Sequence, residues 1–153
     1  MQKIYRHEFV IDTTSCDFLG RWRPSAILEA MQEAAGTHAE LLGIGRAALL
    51  RQDLVWILTR TEVVMDRYPL FGETVTLETF PAGHRRWFMP RYFRFLDKNG
   101  EQIGYAGSLW ALLDVNTRRM AAPDPILAYF PDNSDLPAPM GLPALVGEVE
   151  GSR

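Results

Sequence analysis

The sequence has 153 residues, of which 47% are hydrophobic and 23% are charged, and its formal net charge is -3 at pH 7. This length and composition predict a single soluble globular domain, and the near-neutral charge argues against nucleic acid or an acidic membrane surface as a partner. No apolar run approaches the ~18–20 residues of a membrane span. A single cysteine, Cys16, excludes an internal disulfide, and no apolar stretch of the secretory type follows the first charges, so we expect a cytoplasmic protein.

The chain begins with a predicted strand, which is followed by one strong helix signal. Residues 4–11 alternate between apolar and polar side chains, as a half-buried strand does. Residues 12–20 are small and polar and predict a loop. Over residues 24–42 the apolar side chains recur at helical spacing, and Gly43 is a natural stop signal. A second, shorter helix is predicted over residues 46–50.

The middle of the chain predicts four more strands joined by short turns. These segments are rich in β-branched and aromatic residues and cover 54–67, 74–80, 86–96 and 102–114. The run Asp97-Lys98-Asn99-Gly100 predicts a hairpin turn, because Asn-Gly accepts positive φ. One strand, a helix and four further strands make an α+β pattern, in which a long central helix is wrapped by an antiparallel sheet of about five strands.

The last part of the chain differs in composition from the rest. Residues 124–153 hold several prolines and glycines, and they show no helical or strand periodicity. We therefore predict a domain over residues 1–123 that is followed by a Pro/Gly-rich tail or linker, either loosely packed or disordered.

The predicted long helix carries an acidic face. Glu29 and Glu33 are one turn apart, so their carboxylates share a side of the helix, and Gln32 lies beside them. Periodicity alone favours a solvated face. The alternative is that one glutamate borders a cavity, where burial raises its pKa and lets it act as a base. Asp17, in the loop before the helix, either meets a substrate carbonyl or caps the helix region.

The remaining candidate groups predict neither a metal nor a cofactor. His38 lies on the apolar stripe of the helix, so a hydrogen-bonded core histidine is the default interpretation. His7 and His84 are isolated, and no pair of histidines has metal-ligand spacing. The sequence also contains no G-x-S-x-G, no P-loop and no dinucleotide fingerprint.

Four arginines surround one predicted strand, with aromatic residues between them. They are Arg85, Arg86, Arg91 and Arg94. Strands of this kind stack nucleic acid bases, but the net charge of -3 argues against that use here. A simpler interpretation is a local patch that binds an acidic protein or the phosphates of coenzyme A. The alternative is a solvated strand face.

Six short stretches occur in a fixed order along the chain. They are Met31-Gln32-Glu33-Ala34-Ala35 with His38 behind it, residues 54–60, Asp66-Arg67-Tyr68-Pro69, Gly72-Glu73-Thr74-Val75, Ser108-Leu109-Trp110 and Thr117-Arg118-Arg119. In this order they resemble the acyl-acyl carrier protein thioesterases of fatty acid synthesis, which have the hotdog fold. The resemblance covers most of residues 5–123 and is to the N-terminal hotdog unit of the family.

The resemblance implies a thioester hydrolase that needs no cofactor and acts on acyl-acyl carrier protein or acyl-coenzyme A. It also implies pairing of hotdog units, here as a homodimer or higher homo-oligomer. Family members usually carry two units, and the catalytic Asp-x-Asn-x-His signature of the second unit is absent from this sequence. The alternatives are therefore a non-catalytic acyl-binding module, or half of a two-unit thioesterase.

Other residues must carry the chemistry if this chain is itself a catalyst. Glu33, followed by Ala34-Ala35-Gly36, is similar to the helix motif of another hotdog thioesterase group, in which the acid acts as base or nucleophile. Glu29 is the second candidate base, and Asp17 or Gln32 would assist. The candidate substrate-binding residues are Gln32, Met31, Trp56, Trp110, Arg85 and Arg86. A hotdog dehydratase is a third possibility, but that group needs a histidine in the loop before the helix, and this loop has none.

Overall fold

The computed structural model of this protein describes residues 2–143. The strands in that part of the chain are β1 (Tyr5–Val10), β2 (Leu54–Met65), β3 (Thr74–Pro81), β4 (Met89–Leu96), β5 (Gln102–Asp114) and β6 (Met120–Ala121). The α-helices are α1 (Pro24–Leu42) and α2 (Arg46–Leu50), and short 3₁₀ helices cover Thr13–Ser15 and Asp124–Tyr129. The predicted α+β class and both predicted helices are confirmed. None of the helices between residues 2 and 143 is both long and apolar enough to cross a bilayer.

The strands form one antiparallel sheet, and α1 covers one face of it. The strand order is β1-β3-β4-β5-β2, with the short β6 paired to β5. Strands β1 and β2 occupy the two edges, and within the described residues β2 pairs only with β5. Ile27 and Met31 of α1 pack against Val75, Phe93 and Phe95 of the sheet. The long helix and the sheet therefore bury a shared core, as the sequence predicts.

Helix α1 forms because its apolar side chains return every three or four residues. Its buried positions are Ala26, Ile27, Met31, Ala34, Ala35, His38, Ala39 and Leu42. Pro24 is in the first turn, where the missing N–H would have no helical partner. Gly43 ends the helix with a φ of 86°, a left-handed conformation that glycine adopts without strain. Glu29 and Glu33 lie on the exposed side, as expected for an amphipathic helix.

The apolar core has two parts that meet along α1. The first lies beneath the N-terminal half of the helix and includes Ile11 and Trp22, both 1% exposed. The second surrounds the C-terminal end and joins Leu42 to Leu49 of α2 and Leu112 of β5. Beside the C-terminal half of α1, both parts contribute to the lining of a cleft, the first through Ala35 and the second through Ala39.

Two strand ends differ from the sequence prediction by more than one residue. Strand β4 begins at Met89, three residues later than predicted, because Arg85 and Phe88 exchange backbone hydrogen bonds of 2.7 and 2.9 Å and close a tight turn. Arg86 sits in that turn with a φ of 54°. Strand β2 ends at Met65, two residues earlier than predicted. Neither change alters the order or the number of the predicted long strands.

The segment that follows β6 packs on the domain, which differs from the loose tail predicted for residues 124–153. Ile126 is 0% exposed in the second part of the core. Asn133 is also buried, and its side-chain amide donates to the carbonyl of Pro81 at 2.8 Å. Ile126 and Asn133 therefore contradict the predicted loose packing at these positions, and the part of the prediction that falls on 144–153 lies outside the described residues. The domain boundary at residue 123 stays a prediction.

We expect Ile126→Val to lower the free energy of unfolding by about 0.5–1.5 kcal/mol, because it removes one methylene from a site with no exposed surface. Urea unfolding of the full chain measures this change. Val115→Ala serves as the control, since Val115 is 38% exposed and its truncation should change stability by less than about 0.5 kcal/mol. Equal, negligible effects of both substitutions would show that the segment after β6 is not part of the core.

Candidate active site

A cleft of about 400 Å³ lies beside the C-terminal half of α1. The helix supplies one wall, and the link between α1 and α2 supplies another. The sheet closes the cleft from below through β2, β4 and β5. Its lining includes Gln32, Glu33, Gly36, Glu40, Arg46, Trp56, Met89, Arg91, Trp110 and Phe130. A mainly apolar cleft of this size with a few polar groups is the usual form of a small-molecule site.

Aromatic rings form the apolar part of the cleft. Trp56 and Trp110 meet edge to face with 6.2 Å between ring centroids, and Phe130 meets Trp56 in the same way at 6.4 Å. The polar ends of both indoles are already satisfied. Trp56 Nε1 donates to the carbonyl of Ile44 at 3.0 Å, and Trp110 Nε1 donates to Ser108 Oγ at 2.9 Å. The rings therefore offer hydrocarbon surface to a ligand without unpaired donors.

The polar rim of the cleft comes from the exposed side of α1. Glu33 and Gln32 both line the cleft, and both are exposed to solvent. Glu29 lies one turn earlier and is not among the lining residues. Its side chain is 71% exposed, and one of its carboxylate oxygens lies 3.9 Å from Nη1 of Arg23. Of the two candidate bases, Glu33 is the one that the fold brings to the cleft.

Asp17 is engaged in the loop that carries it. One carboxylate oxygen accepts the backbone N–H groups of Leu19 and Arg21 at 2.9 and 3.0 Å, and the other pairs with Arg21 Nε at 3.1 Å. These interactions, with the backbone hydrogen bond from Arg21 as the largest, lower the pKa of Asp17. The carboxylate therefore closes the turn before α1, and Asp17 is not among the residues that line the clefts.

The other predicted substrate-binding residues fall in separate places. Met31 is 3% exposed in the core and borders, with Gln32 and Trp110, a small gap of about 10 Å³ next to the main cleft. Arg85 lines a second cleft, of about 470 Å³, between the β3–β4 connection and the segment after β6. Arg86 is exposed in the tight turn next to it.

The four arginines around β4 do not form the single patch that the sequence suggests. Arg94 points outward, lies 5.8 Å from the ring centroid of Phe80, and donates to the carbonyl of Pro137 at 2.7 Å. Arg91 instead points inward and is 6% exposed. The prediction of one arginine surface is therefore wrong for Arg91, because alternate residues of a strand face opposite sides of the sheet.

A buried polar group is the feature of the cleft that the sequence analysis missed. Nη1 of Arg91 donates to His38 Nδ1 at 3.0 Å and to Thr79 Oγ1 at 3.1 Å. Since a guanidinium can only donate, His38 Nδ1 is the acceptor and the ring carries its hydrogen on Nε2. That Nε2 donates to the carbonyl of Gln2 at 2.8 Å. The prediction of a hydrogen-bonded core histidine is confirmed for His38, which is 0% exposed.

Burial lowers the pKa values of both His38 and Arg91, because it disfavours their charged forms. Desolvation, with the nearby Arg91 charge as a second cause, lowers the pKa of His38 to about 4. Desolvation alone lowers the pKa of Arg91 to about 9. At pH 7 the pair therefore holds a neutral imidazole and a positive guanidinium. Between residues 2 and 143, no cluster of three or more His, Cys, Asp or Glu side chains could hold a metal ion.

The long helix on one face of the antiparallel sheet, together with the order of the strands, defines a hotdog fold. A DHNA-CoA thioesterase from Staphylococcus aureus superposes with a TM-score of 0.73 at 14% identity, over 82% of this chain and 84% of that one, a likeness that concerns the fold alone. The model of the acyl-ACP thioesterase N-terminal domain matches residues 2–129. The chain belongs to the acyl-acyl carrier protein thioesterase family, in which it corresponds to the N-terminal domain.

Individual relatives agree with this assignment. An acyl-ACP thioesterase from Bacteroides thetaiotaomicron is 31% identical with a TM-score of 0.84, over 92% of this chain and 57% of that one. The 12:0-ACP thioesterase from Umbellularia californica is 28% identical with a TM-score of 0.74, over 91% and 60% of the two chains. In sequence, the chloroplastic dodecanoyl-[acyl-carrier-protein] hydrolase from the same species is 36% identical over 109 residues, which are 66% of this chain and 28% of that protein. The chain thus matches little more than half of these solved structures and about a quarter of this curated relative.

Proposed function

We propose that this chain is a hotdog unit of a thioester hydrolase that releases a fatty acid from acyl-acyl carrier protein or from acyl-coenzyme A. The observation that carries the proposal is the main cleft, in which an aromatic, apolar interior adjoins a carboxylate rim on α1. Because the chain belongs to the thioesterase family, we infer that this cleft binds an acyl thioester. Trp56 and Trp110 would pack against the acyl chain, while Glu33 and Gln32 would face the thioester.

In the proposed reaction Glu33 acts as a general base. It takes a proton from a water molecule as the water oxygen bonds to the thioester carbonyl carbon. Collapse of the tetrahedral intermediate breaks the C–S bond, and the proton held by Glu33 passes to the departing thiolate. The products are a fatty acid and the free thiol of the carrier. Gln32, next to Glu33 on the rim, would orient the attacking water through its side-chain amide.

We further propose that two hotdog units pair to complete the site. Strand β2 supports this proposal, because its 12 residues form a sheet edge that is paired on one side only in the described part of the chain. An edge of this length is a template for pairing with another strand. The second unit is another copy of this chain in a homodimer or, if the protein extends further, a following domain.

Arg85 and Arg86 would bind phosphate groups of coenzyme A or acidic groups of the carrier protein. The cytoplasmic location stays a prediction.

The proposal is tested by measuring thiol release together with the mass in solution. The purified chain is incubated with acyl-acyl carrier proteins and acyl-coenzyme A thioesters of several lengths, and its mass is determined by light scattering. We expect multiple turnovers from a particle of twice the chain mass or larger. A monomer without turnover would contradict the proposal.

The second candidate function is a non-catalytic acyl-binding module, or half of a two-unit catalyst. The observation that favours it is the length of the relatives, since the chain spans 57% of the Bacteroides thioesterase. Under this alternative the chain would bind an acyl group in the main cleft and leave the thioester intact. Steady hydrolysis by this polypeptide alone would exclude it.

A further inference from the structure

Arg91 interrupts an otherwise apolar row of side chains. On the inner face of β4 it stands between Met89 and Phe93, which are 2% and 1% exposed, and Arg91 itself is 6% exposed. An arginine in such a row is rare, because burying an ionised group costs free energy unless another charge compensates it. Its presence in the core therefore calls for a physical explanation.

The guanidinium is only partly satisfied by protein. The guanidinium makes two hydrogen bonds within the described residues, and both come from Nη1, to His38 and Thr79. Nε and Nη2 make none there. Neither of these two nitrogens is among the fully enclosed, unpaired atoms of that part of the chain. Since Arg91 lines the main cleft, we infer that both atoms face it. They form the side-on edge of the guanidinium, the edge that holds the two oxygens of a carboxylate in a bidentate pair.

The charge of Arg91 also lacks a partner among residues 2–143. No carboxylate oxygen of residues 2–143 lies within 4.0 Å of any Arg91 nitrogen. Glu33 and Glu40 line the same cleft but lie beyond that distance. His38 faces Arg91 as a neutral acceptor, and Thr79 Oγ1 accepts from Arg91 while it donates to the carbonyl of Tyr92 at 2.9 Å. Neutral acceptors hold the guanidinium in place without balancing its charge.

We propose that Arg91 binds the carboxylate of a fatty acid that occupies the main cleft. Nε and Nη2 of Arg91 would each donate to one carboxylate oxygen, while Trp56 and Trp110 pack against the hydrocarbon chain. His38 and Thr79 act as positioning residues, because they fix Nη1 and so aim the opposite edge of the guanidinium at the cleft. The inference rests on the proposed function only in that the ligand is an acyl chain, and it adds the group that recognises the polar end of that ligand.

Isothermal titration calorimetry at pH 7 with decanoate and with decanol tests this assignment. The two probes share a chain length and differ in the carboxylate, so their affinities separate the contribution of Arg91 from that of the apolar cleft. We expect the full-length chain to bind decanoate about 10- to 100-fold more tightly than decanol, the factor associated with hydrogen bonds to charged groups. Equal affinity for the two probes would overturn the proposal.

Arg91→Met, which fills the apolar row with a side chain of similar length, should remove this preference and leave decanol binding within about threefold of its original value. Arg94→Met is the matched control, because it makes the same substitution on the outer face of the same strand, and it should keep the preference. A preference that survives Arg91→Met would contradict the assignment.

A second measurement keeps the proposal testable if Arg91→Met does not fold. The carboxyl carbon of ¹³C-labelled decanoate, bound to the unmodified chain, can be titrated by NMR. A neighbouring guanidinium favours the ionised form, so we expect a pKa below that of free decanoic acid, whereas an apolar site alone would raise it. An unchanged or raised pKa would overturn the proposal. None of these measurements needs turnover, so a chain that prefers decanoate but releases no thiol would contradict the hydrolase proposal and support this one.

Discussion

Replacement of Glu33 by Gln is expected to lower the rate of thioester hydrolysis by about 10²- to 10⁴-fold, the contribution that a positioned general base typically makes. The substitution keeps the size and polarity of the side chain but removes its ability to accept a proton from water. Because Glu33 is exposed on the surface of α1, the change should leave folding intact. Thiol release from acyl-acyl carrier protein, compared as kcat and KM separately, measures the effect. The loss should appear in kcat, because acyl-chain packing in the cleft is unchanged.

Two further variants decide whether the position of Glu33 matters. Glu101→Gln is the matched control, since Glu101 is an exposed residue in the β4–β5 turn, outside the lining of the main cleft, and this variant should keep full activity. Glu29→Gln tests the other glutamate on the same side of α1, and its distance from the cleft lining leads us to expect a small change. A large fall in kcat at Glu29 rather than at Glu33 would show that the base is misassigned.

The resemblance of its helix motif ranked Glu33 above Glu29, but the sequence could not show which of the two carboxylates reaches a cleft. Helical spacing places both carboxylates on one side of α1, and that part of the prediction follows from periodicity alone. Which of them reaches a cleft depends on where the sheet and the link between α1 and α2 approach the helix. Those segments are distant in sequence, so only the folded chain shows that the cleft begins at Gln32 and extends toward the C-terminal end of α1.

The elements with strong periodicity were predicted accurately for a physical reason. Helix α1 carries an uninterrupted apolar stripe and ends at Gly43, and β5 is bounded by turn signals, so local sequence determines both. The segment after β6 has no such pattern. Ile126 is nevertheless fully buried, because a single side chain can fill a gap between α1, α2 and β5 without any periodic signal. Composition alone therefore underestimated how much of the chain belongs to the domain.

Arg91 was grouped with its neighbours because four arginines stand close together in the sequence. The signal that separates them was present, since Met89, Arg91 and Phe93 alternate with Pro90 and the other outward residues of β4. Alternation along β4 would have been enough to separate Arg91 from Arg94, but the partners of Arg91 could not be predicted. His38 lies 53 residues earlier in the chain, and Thr79 lies on a neighbouring strand. Long-range contacts of this kind give a buried charge its position and its function.

The burial of His38 leads to a second large prediction, which concerns stability. Folding lowers the pKa of His38 from 6.5 to about 4, while the unfolded chain keeps the ordinary value. Between these two values the unfolded state binds a proton that the native state does not, so the free energy of unfolding falls as the pH decreases through this window. The fall of the His38 pKa from 6.5 to about 4 corresponds to roughly 3 kcal/mol. This loss is fully developed near pH 4 and absent above about pH 7.5.

Urea unfolding at pH 7.5, 6.5, 5.5 and 4.5, at one fixed protein concentration, measures the loss. His38→Gln is the informative comparison, because glutamine cannot titrate but offers an acceptor to Arg91 and a donor to the carbonyl of Gln2. We expect this variant to be less stable than the original chain at pH 7.5 and to lose much less stability on acidification. The aspartates with lowered pKa values, such as Asp17, contribute little to the difference, because their stabilisation is lost mainly below the ordinary value of 3.8. Identical pH dependence in the two proteins would mean that native His38 titrates at the ordinary value of 6.5, so that Arg91 would face an imidazolium at lower pH and would need a different acceptor.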